Sequence, residues 1–125
     1  MSVIRESEAR RTETPNAVMT TLASPTLGGA EHSVWRVEMG PAAVGPPHAF
    51  DVQQVWTVLE GGATVEVGEA SHDVAPGDTL VLPAEVLRRV TADPAGGLRA
   101  LVVSAPGPSA SVPGGATPTV PAWTV

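Results

Sequence analysis

The sequence predicts an all-β fold, a sandwich or small barrel of short strands, and three observations carry the prediction. Apolar residues recur with period two through most of the 125-residue chain, as they do when successive side chains point to opposite faces of a strand. Runs rich in Gly and Pro, such as "GPAAVGPP", "APGD" and "DPAGG", interrupt that pattern at intervals of about 8 to 12 residues, the turn spacing of sandwiches and barrels. No window of useful length carries an apolar stripe at helical spacing.

Taken in order, residues 1–15 are charged and polar, with Arg5, Arg10 and Arg11 among them, and are expected to form a disordered or loosely attached arm. "NAVMTTLAS" (16–24) is expected as an edge strand, paired within the barrel or against a second subunit. Further strands are predicted at "SVWRVEM" (33–39), "FDVQQVWTVLE" (50–60), "ATVEV" (63–67), "DTLVLP" (78–83) and "LRALVVS" (98–104). His72 sits in another strand, "SHDVA", on the face of Val74, where a satisfied core histidine is expected. "AEVLRRVTA" (84–92) is the nearest approach to a helix, and Pro83 and Pro94 confine it to about two turns at most. Asp78 follows Gly77 in a turn. Residues 16–105 thus form one barrel, and 106–125 an extended Pro- and Gly-rich tail. Trp123 near its end either pins the tail to an apolar surface or lies exposed.

Composition excludes several function classes. A net charge of −6 and a pI near 4.8 argue against nucleic acid, whose binding draws on clustered cations. Cysteine is absent, which removes disulfides, thiolate metal sites and cysteine nucleophiles. No apolar run approaches the roughly 18 residues of a membrane span, and the N-terminus has no apolar stretch behind its charges, so a cytoplasmic location is the expectation. All seven basic residues are arginine; the lack of Lys and Tyr beside abundant Ala, Gly, Pro and Val suggests a GC-rich bacterial genome.

Two stretches resemble the paired motifs of the cupin superfamily: "AAVGPPHAFDVQQVWTVLEG" (Ala42–Gly61) and "APGDTLVLPAEVLRR" (Ala75–Arg89). The resemblance implies a double-stranded β-helix, a small jelly-roll-like barrel, that pairs into a homodimer. Metal-binding cupins carry His-x-His and then Glu in the first motif and a further His in the second. The corresponding positions are His48, Phe50, Gln54 and Arg88, so one of the family's four ligands remains. Ala42 stands where a glycine is common, which a turn without positive φ would absorb.

Strand alternation places His48, Phe50, Val52, Gln54, Trp56 and Val58 on one face. Phenylalanine donates nothing to a metal, and Arg88 sets a permanent cation beside the vacated positions, so no metal or other cofactor is expected. The expected function is a metal-independent, small-molecule-binding cupin enzyme of bacterial specialised metabolism, catalysing an isomerisation, cyclisation or elimination. His48 is its expected acid/base, with Gln54 and Arg88 as polarising or anchoring groups and Phe50, Trp56, Trp35 and Met39 as apolar walls. A non-catalytic ligand-sensing cupin with the same pocket is the second reading. A metal-dependent dioxygenase or lyase, borrowing a ligand such as His72 or Glu66, is the third.

Overall fold

The structure is a computed structural model and describes residues 1–115 and 117–125. Among the described residues, eleven strands are distributed over three antiparallel sheets. They are β1 (Arg10–Glu13), β2 (Val18–Ala23), β3 (Ser33–Met39), β4 (Ala49–Phe50), β5 (Gln54–Gly61), β6 (Ala63–Val67), β7 (Ala70–Val74), β8 (Thr79–Leu82), β9 (Arg88–Ala92), β10 (Leu98–Ser104) and β11 (Ala110–Ser111). The largest sheet runs β1-β2-β3-β10-β5-β8, the second β7-β6-β9, and β11 pairs with β4. The predicted all-β barrel is therefore present, with β3, β6 and β10 at the predicted boundaries.

Period-two burial is cleanest on the central strands. On β3, Ser33, Trp35, Val37 and Met39 face in while Val34, Arg36 and Glu38 face out, and β10 alternates in the same way from Leu98 to Ser104. Lying between β3 and β5, β10 buries Ala100 and Val102 completely. One end of the barrel closes where Gly61 passes Gly97: at φ +71°, a Cβ on Gly61 would lie 2.0 Å from the Gly97 carbonyl oxygen. Only glycine fits such an approach.

Several expectations are corrected. Arg10–Glu13, placed by sequence in a loose arm, form β1 and pair with β2 through Arg10↔Thr21 to Glu13↔Val18; β2 is consequently flanked on both sides and is not an edge. Strand 50–60 is broken at 51–53, because Asp51 bonds the tail instead of a ladder. Its N–H donates to the Ser109 carbonyl at 3.1 Å, and its Oδ1 accepts the Ser109 N–H at 2.7 Å. The helical candidate 84–92 supplies β9, whose Arg88–Ala92 pair with Val67–Ala63; β-branched Val90 and Thr91 with an open partner edge outweigh its weak helical pattern. His72 is exposed and not part of the core. Ala42 does take positive φ, +61°. Asp78 sits in its turn as expected, its Oδ2 accepting the Ala75 N–H at 2.9 Å.

Candidate functional site

The site begins with a pair of prolines. Residues 43–48 run antiparallel to β9 but cannot complete a ladder, because Pro46 and Pro47 have no N–H to give. Bonds survive on either side: Gly45 N–H to Val90 O at 2.9 Å, and a reciprocal pair between His48 and Arg88 at 3.0 and 2.9 Å. His48 and Arg88, forty residues apart, are thereby fixed directly opposite each other.

Their side chains turn into a cavity of about 380 Å³, a volume within the usual range for small-molecule sites. All seven sequence-predicted site residues line it: His48, Gln54, Arg88, Phe50, Trp56, Trp35 and Met39. Gln54 is fully buried, and its Oε1 accepts from Arg88 Nη2 at 2.8 Å and from Trp56 Nε1 at 3.2 Å. Both neighbours can only donate, so the amide orientation is determined, leaving Nε2 on the other side. That Nε2 is buried without a partner, at a cost of roughly 1–3 kcal/mol.

Arg88 is 3% exposed, and among the described residues no Asp or Glu lines the cavity with it. Its Nε lies 3.4 Å from His48 Nε2, and its guanidinium carbon lies 4.5 Å from the centre of the Phe50 ring, which offers the negative face of its π-system. Burial lowers its pKa to about 10, so it remains a cation at neutral pH. His48 Nδ1–H donates to the Pro46 carbonyl at 2.8 Å, which puts the ring's lone pair on Nε2. Burial holds the His48 pKa below 6.5; the Pro46 bond opposes this and the charge of Arg88 adds to it. The imidazole is therefore neutral at pH 7, equipped to accept a proton and not to give one.

A metal does not fit these residues. The two donor atoms a cation would use, His48 Nε2 and Gln54 Oε1, both face the guanidinium of Arg88, and Phe50 replaces a further donor. His72 and Glu66, the borrowed ligands of the third reading, lie elsewhere: neither lines the cavity, and Glu66 pairs with Arg89 at 3.0 Å. Among the described residues, no group of three His, Cys, Asp or Glu is placed to hold a metal ion.

The tail and the stretch around β1 are the parts of the site that sequence missed. Thr14–Ala17, Val112, Thr119 and Pro121 complete the wall, and Trp123 packs against the core as its roof. Hydroxyls hold this roof down: Thr21 donates to the Trp123 carbonyl at 2.7 Å, Ser33 to Thr124 at 2.5 Å and Ser24 to Val125 at 2.8 Å. Buried Thr and Ser at inward positions of β2 and β3 were the available signal, since such hydroxyls need partners.

Barrel, paired motifs and an inward-facing site define a small β-barrel protein of the cupin type. The cupin-domain profile matches residues 35–104, more than half of the chain, and the chain belongs to the cupin family. No curated protein sequence matches it. Among solved structures it is similar to the polyketide cyclase RemF from Streptomyces resistomycificus, at 21% identity and a TM-score of 0.70 over 83% of this chain and 78% of that one. KdgF from a Halomonas species is similar at 22% identity and TM-score 0.68, covering 83% and 93%. Oxalate decarboxylase from Bacillus subtilis gives 15% and 0.73, with this chain spanning only 31% of its length. At such identities the likeness concerns fold.

Proposed function

We propose that this cupin is a metal-independent enzyme acting on a small, largely apolar molecule by proton transfer, in an isomerisation, cyclisation or elimination of bacterial specialised metabolism. The observation that carries the proposal is the cavity in which His48, Gln54 and Arg88 converge among aromatic walls. In a carbonyl isomerisation, His48 Nε2 takes a proton from the carbon beside the carbonyl, and the C–H electron pair moves into an enolate. Arg88 turns its donors from His48 to the enolate oxygen, joined by Gln54 Nε2, and His48 then returns the proton at a different atom. The fold's likeness to the cyclase RemF supports an enzymatic reading.

The test is exchange of the α-protons of 2-tetralone in D2O, followed by NMR. Wild type should exceed His48→Ala by about 10²-fold, the lower end for general-base catalysis; equal rates would rule the proposal out. A second reading, a non-catalytic binding cupin, is favoured by the Arg88 Nε–H that occupies the His48 lone pair, and equal rates with retained binding would select it.

We also propose a homodimer. The outer face of the large sheet carries one row of valines in register, Val34, Val103, Val55 and Val81, and Val81 is 60% exposed. A second copy covering this row satisfies both sheets. Sedimentation should give a dimer and Val81→Glu a monomer; a wild-type species of 12.7 kDa would refute pairing.

A further inference from the structure

The charges around the cavity do not balance. The chain has 13 Asp and Glu residues, yet none of them lines the cavity, and the one formal charge inside it is the cation of Arg88. A buried guanidinium ordinarily meets a carboxylate, because the desolvation it suffers is recovered only by a partner of opposite charge or by several acceptors. Here its neighbours are an amide oxygen, an imidazole nitrogen and a phenyl face, all neutral. Beside it, Gln54 Nε2 is buried with no acceptor. At this point of the cavity stands a cation whose partners are all neutral, so a net positive charge is left uncompensated there.

Building on the proposed ligand cavity, we infer that the molecule bound there is a monoanion, with one negatively charged oxygen group seated against the Arg88 guanidinium and an aromatic or fused-ring body among Trp35, Trp56 and Trp123. Two oxygens of a carboxylate suit the paired donors of the guanidinium, and a single phenolate or enolate oxygen can share them. Neutral analogues leave the cation unmatched. Cations are repelled. The guanidinium thus takes over the electrostatic task of the metal for which the residues are unsuited, with the difference that it offers directed N–H groups and no open coordination position.

Titration of tryptophan fluorescence with flat probes of one size tests this. 2-Naphthoate should bind at least about tenfold more tightly than neutral 2-naphthamide. 2-Naphthol distinguishes the two oxyanion sources: if phenolate is accepted, the bound probe shows the red-shifted naphtholate absorption at pH 7, and if carboxylate alone is accepted, it binds like the amide. Gln54→Glu puts a carboxylate against Arg88 and removes the orphan amide, so it should fold at least as stably as wild type and lose the preference for naphthoate over naphthamide. Arg88→Lys should retain part of the preference and Arg88→Met none. Should Arg88→Met fail to fold, Gln54→Glu carries the test. Equal binding of naphthoate and naphthamide to wild type, or an unchanged preference in Gln54→Glu, overturns the inference and leaves the ligand cavity standing. If none of the probes enters, the cavity proposal itself falls and the inference with it.

Discussion

Two halves of one core are built from different residues. On β5 the cavity ends between Trp56, which lines it, and Val58, which does not; on β9 it ends between Val90 and Ala92. Beyond that boundary lie Val58, Ala63, Val65, Ala92, Leu98, Ala100 and Val102, small or aliphatic, without a polar side-chain atom, and almost wholly buried. On the near side stand four aromatic rings, the Gln54 amide, an imidazole and a guanidinium. If the polar residues were packing relics, they would be expected throughout the interior. They are confined to the half that encloses space, and the filled half does without them. Volume and polarity are thus specified together, as a binding site requires.

The contrast can be broken most directly by truncation. Leu98→Ala, in the filled half, should lower stability by about 3 kcal/mol in urea unfolding, the cost of a cavity among neighbours that cannot collapse. Addition distinguishes the halves further. Ala100→Val has no room and should cost about 2 kcal/mol, whereas Val90→Leu extends toward the existing cavity and should cost less than about 0.5 kcal/mol while weakening ligand binding. Equal costs for the two enlargements would mean that the space is filled in solution.

A third measurement uses pH. Folding holds His48 below its ordinary value of 6.5, so below pH 6.5 the unfolded chain takes up the proton more readily. The stability due to the neutral imidazole is full above 6.5, declines as the pH falls, and is gone once the pH has passed below the folded value. The difference between wild type and His48→Asn should follow that course, and a difference independent of pH would mean that the ring is freely solvated. The smallest effect lies outside both halves. Ala42 holds a left-handed conformation at φ +61°, and Ala42→Gly should stabilise by about 0.5–1 kcal/mol.

The filled half was legible because its rule is simple: period-two apolar runs bounded by Gly and Pro give strands, and strand parity gives the inward face. The residues of the site were legible for a related reason, since counting along one strand from His48 reaches Phe50, Gln54 and Trp56, and motif spacing reaches Arg88. Their interactions were not. That Arg88 would meet Gln54 and His48, and not a carboxylate, depends on strands distant in sequence being brought into register. The break at 51–53 was hidden because it depends on Ser109, and β1 because three exposed, charged residues and Thr12 form a strand only when β2 offers an edge. The conformation of Ala42 ran against its own propensity, and a local rule fails where the surrounding turn dictates φ.

Residues 121–125 are attached by side chains, the hydroxyls of Thr21, Ser24, Thr26 and Ser33 and the guanidinium of Arg10, and not by a ladder. Such a fastening parts without unzipping any sheet, so Trp123 can swing away while the amides of β10 stay protected from exchange. On the proposed reading, a molecule enclosed beneath it would be held in place by Arg88, and its escape would wait on Arg10, Thr21, Ser24 and Ser33. Strength of binding and length of stay are therefore assigned to separate sets of residues, and selection can lengthen the second without touching the first.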